Sequence, residues 1–172
     1  SANAKNFARL EEQIEAINTR CREHGIPRPT SFGFPSNRFD PGALPILKKL
    51  GFRFARRGGA PEYPYEGGRG FAYEPGVDHP LLIPSAGDAR PYWTLEDFQR
   101  AVQQARNGKI AVIQFHGVPD RDHPWVNTPP ELFAQYMKYL HENGYRAIAL
   151  RDLARYVDAD DVPADPFAVI ER

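Results

Sequence analysis

Phe7, Leu10, Ile14, Ile17 and Cys21 recur at three- and four-residue steps with charged residues between them, a spacing that predicts an amphipathic helix ending at His24-Gly25. Pro27 and Pro29 bar its continuation, and Thr30 to Phe34 reads as a short buried strand. Asp40 caps a second helix with Pro41 in its first position, Gly51 supplies a left-handed stop, and Phe52 to Arg56 is the next strand. Thr94-Leu95-Glu96-Asp97 opens a third helix with a threonine cap and an acidic first turn, running to Asn107-Gly108. It feeds the most apolar strand of the chain, Ile110 to Phe115, which ends abruptly in His116-Gly117. Thr128-Pro129-Pro130-Glu131 opens a further helix that closes at Asn143-Gly144, and Arg146 to Leu150 reads as the strand after it.

Between Arg57 and Trp93 no period holds. Tyr63, Tyr65, Phe71, Tyr73 and Tyr92 are scattered among glycines and prolines, with Leu81-Leu82-Ile83 as one short strand candidate. A loop of that length in a compact domain is usually a functional cover or disordered. After Asp158 the chain is polar and proline-broken, so residues 1–157 are expected to form one domain and 158–172 a tail packed only through Phe167, Val169 and Ile170, if at all. Helices alternating with strands predict an α/β fold with a parallel sheet or barrel, the first helix lying on its outside. Periodicity does not choose between open sheet and barrel.

Composition narrows the function classes. At 172 residues there is material for one domain with a core. Twenty-two basic residues balance 22 acidic ones, and no basic stripe argues for nucleic acid or an acidic membrane surface. A single cysteine, Cys21, excludes an intramolecular disulfide and a multi-cysteine zinc site and leaves the compartment open. No apolar run approaches the roughly 20 residues of a membrane span. The chain opens on neither a methionine nor a signal-like segment, which suggests a processed or shortened form.

A histidine at the carboxyl end of a parallel strand stands where α/β proteins usually place chemistry, so His116 is the first catalytic candidate. Lys109 to Gly117, the helix from Thr128 and the strand leading into Arg151-Asp152-Leu153 resemble, in order and spacing, the C-terminal part of the polysaccharide deacetylase family. These are metal-dependent carbohydrate esterases that include chitooligosaccharide deacetylases. Phe32-Gly33-Phe34-Pro35-Ser36-Asn37 is similar to the family's third motif, and Gly42 to Arg56 to its following helix and strand. The resemblance covers Phe7 to Tyr156. It implies an irregular (β/α) barrel, here lacking its first strands, with the strand ends near Pro35, Ala55, His116 and Leu150 converging on one face.

In the resembled family an aspartate pair and a His-x-x-x-His motif hold a divalent metal and a catalytic base, and a histidine on a late strand protonates the leaving amine. His116 matches that last position. The first two motifs do not occur: Asp160-Asp161, the only aspartate doublet, lies in the tail, and no two histidines are four apart. The expectation is therefore a chain that begins after the metal ligands, inactive by itself, with no metal of its own and a zinc-like ion in a complete parent. The alternative is a domain that has lost the centre.

The third motif has Gly33 where the commonest pattern has arginine, so a group such as Arg90 or Arg56 must orient the catalytic base. Phe34, Pro35, Arg90, Trp93 and Trp125 are the expected substrate contacts, the tryptophans either stacking on sugar rings or pinning the long loop. His123 lies in a loop with Asp120 and Asp122, a cluster that could hold a cation, although proline-flanked loop charges are usually solvated, and His79, beside Asp78, reads as an ordinary loop residue. His24 and His141 suit helix C-termini. The implied function is hydrolysis of the carbon–nitrogen amide bond of an N-acylated sugar or similar small molecule; the alternative is a noncatalytic carbohydrate-binding or interaction domain. Missing first strands would also leave a sheet edge open to self-association.

Overall fold

In the computed structural model, which describes residues 2–64, 67–168 and 170, with side chains from Phe7 onward, the first helix forms as the apolar spacing asks. Helix α1 spans Ala2–Glu23, and Gly25 turns the chain out of it at φ +67°. Ile14 is buried with Phe7 and Leu10 packed beside it, whereas Ile17 stays exposed, so the buried stripe is narrower than its spacing predicts. That stripe packs on α2 (Ala43–Lys49). The approach is close: a Cβ on Gly42 would lie 2.4 Å from the Phe7 ring. The expected Asp40 cap with Pro41 in the first position is not formed: Gly42 is the N-cap, without a side-chain bond, and Asp40 instead accepts the Gly42 N–H at 2.8 Å in the turn before the helix, while Gly51 stops the element at φ +84°.

Strands β1 (Ser31–Gly33) and β2 (Phe54–Arg56) pair in parallel, Ser31 opposite Phe54 and Gly33 opposite Arg56. Strands β3 (Gly87–Asp88) and β4 (Ile113–Gln114) form a second parallel pair. The segment 83–89 links the two. On one side Ile83 N–H donates to Ala55 O at 2.9 Å and Arg57 N–H to Ile83 O at 2.8 Å. On the other, Ala86 N–H donates to Val112 O at 2.8 Å and Ala89 N–H to Gln114 O at 2.9 Å. Pro84, with no N–H to give, interrupts the ladder between them. The result is a mixed α/β fold with small parallel sheets, and no closed barrel is present among the described residues.

Several predicted elements differ, among them the Ile110–Phe115 strand, which is shortened to Ile113–Gln114 with Ile110 bridging antiparallel to Tyr73. Residues 146–149 form no strand: Ile148 is exposed, Tyr145 is drawn into the cluster beside α4, and Leu150 starts a 3-10 helix, Leu150–Arg155, that packs elsewhere. With its two anchoring side chains pulled to different clusters, the segment has no neighbour to pair with. Pro80–Leu82 is a 3-10 turn, and only Ile83 of that candidate strand bridges to Arg56. Helix α3 (Leu95–Val102) ends before Asn107-Gly108, where positive φ values of 55° and 80° turn the chain toward β4.

The aperiodic stretch holds the best-buried backbone of the molecule, since every residue from Pro80 to Arg90 is buried. Strand β3 is invisible to periodicity because it is built from small residues: Ala86 and Ala89 are almost fully covered, and a Cβ on Gly87 would meet Trp93 Cη2 at 2.3 Å. Helix α3 packs on α4 (Pro130–Glu142), with Phe98 stacked on Tyr136 at 4.2 Å between centroids. The tail returns to the α1–α2 cluster, where Ile170 is buried and Phe167 partly so; Val169 lies outside the described residues. Among the described residues no helix is long and apolar enough to cross a membrane.

Candidate functional site

The carboxyl ends of the parallel strands bring polar residues together. Arg56, at the end of β2, donates from Nη1 to Asn37 Oδ1 at 2.6 Å and to Gln114 Oε1 at 2.5 Å, tying the turn after β1 to the end of β4. Asn37 holds φ 57°, a left-handed conformation asparagine tolerates better than most residues, and a Cβ on Gly58 would crowd it at 2.7 Å. Asp88 ends β3 beside Arg90, which it meets at 2.8 Å, both side chains nearly covered. Burial pushes the Asp88 carboxyl up, against the opposing pull of Arg90, Arg56 and His116. His116 is thus within electrostatic reach of a buried carboxyl on the neighbouring strand.

From His116 the chain enters a loop fixed at its base: Gly117 bridges to Asn127, and Thr128 N–H donates to Gly117 O at 3.0 Å. Inside it, Asn127 Oδ1 accepts the Asp120 N–H at 2.7 Å. The Asp120 carboxylate in turn accepts the His123 backbone N–H at 2.9 Å. Oδ2 of Asp120 meets Nδ1 of His116, and Oδ1 meets Nδ1 of His123 at 3.1 Å. Gly117 is required for this closure, since a Cβ there would sit 2.7 Å from Asp120 Cβ. Partial desolvation raises the Asp120 carboxyl, but the hydrogen bonds from His116 and from His123 outweigh it and hold the group below the usual carboxylate range. One ligand-type atom from each of His116, Asp120 and His123 lies within 4.8 Å of the others. Trp125 stands edge-on to His123 at 5.4 Å and is 65% exposed.

Of the sequence candidates, His116 and Trp125 are exposed at this loop, and Pro35 is exposed where the 3-10 turn after β1 begins. Phe34 and Trp93 are core residues in separate clusters, and Arg90 is covered and paired with Asp88, so these three present little surface to a ligand. Both suggested arginines lie near Asp88. One residue escaped the sequence reading, and one link. Asp88 sits in an aperiodic stretch that carries no signal of a strand. Asp120 was legible as a loop carboxylate, and its spacing, four residues after one histidine and three before the other, is the signal that links it to both. His79 is placed elsewhere, its Nδ1 accepting the Leu81 N–H at 2.9 Å. Asp160 and Asp161 are exposed in the tail. No family model, curated protein or solved structure matches this chain.

Proposed function

We propose that this chain is a polysaccharide deacetylase-like hydrolase domain that acts on the carbon–nitrogen amide bond of an N-acylated sugar only when metal ligands it does not itself supply are in place, with His116 as its proton-transfer residue. The observation that carries the reading is an exposed imidazole after β4 whose Nδ1 is engaged by Asp120, which leaves Nε2 as the nitrogen available to substrate. When the amide of such a substrate collapses from its tetrahedral adduct, the departing nitrogen must take a proton, or it is too poor a leaving group. Nε2 of His116 gives that proton, and the Asp120 carboxylate steadies the imidazolium in its charged state and fixes the ring. Arg56 braces the strand ends behind it. Trp125, exposed beside His123, offers a ring face suited to the apolar face of a sugar.

The divalent metal implied by the resemblance would polarise the amide carbonyl and activate water. The residues of this chain do not reproduce its expected ligands: no His-x-x-x-His occurs, and Asp160-Asp161 is an exposed doublet in the tail. The proposed role of His116 involves the residues named above alone.

Acetate release from N-acetylated glucosamine oligosaccharides, measured in a protein that also carries the metal ligands, tests the reading, since this chain by itself is expected to be inactive. His116→Ala is expected to lower turnover by roughly 10²–10⁴-fold, the usual worth of a positioned acid, with Trp125→Ala raising KM. The exposed tryptophan equally suits a carbohydrate-binding domain. Oligosaccharide binding that survives His116→Ala, in a protein that releases no acetate, would establish that second reading and remove the first.

A further inference from the structure

We propose that His116, Asp120 and His123 form a binding site for a single first-row divalent cation of the zinc type. The set is two imidazole nitrogens and one carboxylate oxygen converging within 4.8 Å. Both rings turn the same atom, Nδ1, toward one carboxylate. Neutral histidine binds a metal through either ring nitrogen by placing its proton on the other, so Nδ1 becomes a ligand with no charge left behind. A mixed nitrogen–oxygen set suits zinc, cobalt, nickel or copper, whereas magnesium and calcium prefer oxygen throughout.

The geometry needs little adjustment. Bonds of about 2.0 Å to a tetrahedral ion place ligand atoms roughly 3.3 Å apart. The three ligand atoms all lie within 4.8 Å of one another, and the His123–Asp120 contact is already 3.1 Å. Both histidine side chains are about half exposed, so they are free to close by that amount. The carboxylate between them is only 12% exposed and is held by the backbone: Asn127 fixes its amide, and Gly117 allows its close approach to the strand end. Ordering of the central ligand is thus supplied by the folded loop. With three protein ligands, the fourth position is left to water or a ligand atom from solution, the arrangement of an open site.

This inference stands on the three side chains and not on the hydrolase reading. The two bear on each other at one atom. An ion at Nδ1 displaces Asp120 from its hydrogen bond and locks the proton on Nε2, so that nitrogen can no longer cycle between donor and acceptor. If the hydrolase reading holds, the metal-loaded protein is the inactive form.

Zinc and cobalt(II) are the probes. Equilibrium dialysis of the purified chain should give one zinc per chain, and cobalt should develop the intense visible absorption of a low-coordinate site. His116→Ala, Asp120→Ala and His123→Ala should each weaken zinc binding by more than about tenfold, since changes even to groups behind the ligands cost that much. His24→Ala and His141→Ala should leave it unchanged. The three ligands belong to a surface loop, and circular dichroism identifies variants that have kept the fold. On the native protein, nitrogen NMR of the rings should show Nδ1 of His116 and His123 shifting on zinc addition, a measurement that needs no variant. The proposal is overturned if the native chain binds no stoichiometric zinc, or if binding persists in Asp120→Ala and His123→Ala, or if the ring nitrogens do not respond.

Discussion

Arg57 and Glu62 show how strongly one pair of residues can be committed. Their side chains are 1% and 3% exposed, and the guanidinium holds the carboxylate through two bonds, 2.5 and 2.8 Å, while also donating to the carbonyls of Leu82 and Ala60. Removing one member of a buried pair leaves a charge without compensation, which typically costs 3–5 kcal/mol, far more than a surface ion pair contributes. Glu62→Ala is therefore expected to lower unfolding free energy by about 3 kcal/mol or more. Lys49→Ala, which breaks only an exposed pair with Glu11, should change it by less than about 1 kcal/mol. Urea unfolding of the two variants side by side checks the contrast, and equal effects would mean that the Arg57 charge finds another route to solvent.

The elements carry two further predictions. Helix α3 begins with a reciprocal cap: the Thr94 hydroxyl accepts the Asp97 N–H at 3.3 Å, and the Asp97 carboxylate accepts the Thr94 N–H at 2.9 Å. Thr94→Ala should lower stability by about 1 kcal/mol, with Thr94→Ser restoring most of it. The 3-10 turn at Pro80–Leu82 is capped differently, by a neutral imidazole: His79 Nδ1 accepts the Leu81 N–H, a bond that a protonated nitrogen cannot accept. Burial lowers the pKa of His79 below its usual 6.5, and nearby Lys48 lowers it further. The folded value lying below the unfolded one, the stability contributed by this group is complete above pH 6.5 and is lost as pH falls from there through the folded value. The urea midpoint of the native protein should decline over that interval more than that of His79→Asn. Parallel curves would show that the turn does not depend on the imidazole.

At the scale of the whole molecule, the tail and the sheet edge matter most. Ile170 is buried in the cluster of Ile14, Leu44, Leu47 and Phe52, so the last residues close a core formed by the first helices. Ile170→Ala should cost about 2 kcal/mol or more, as a large-to-small change in a packed core does. Thermal unfolding at matched pH is the check, and an unchanged midpoint would make the tail a passenger. Strand β1 pairs only with β2 among the described residues. Its short length limits its value as a template for a second chain. Concentration-dependent sedimentation is the direct test of self-association at that edge.

The sequence by itself determined the existence of the helices, the cap of α3 and the two strands that flank α2, because those features rest on local chemistry: Thr94 and Asp97 three residues apart, Gly51 and Gly144 past helix ends, and proline where a helix must stop. It also marked His116, since an apolar run broken by a histidine and a glycine is visible without any partner. What only the tertiary structure decided was pairing. Strand β3 is a strand because Gly87 is small enough to lie against Trp93 between Arg69 and β4, a property of neighbours that no period records. Residues 146–149 have the composition of a strand and lack an edge to join. Asp88 comes within electrostatic reach of His116 only through the register of β3 beside β4, and Asp120 reaches both histidines only because the loop closes on Gly117. Local signals set which residues are apolar, capped or rigid, whereas contacts between distant segments are selected by the packing of the whole chain.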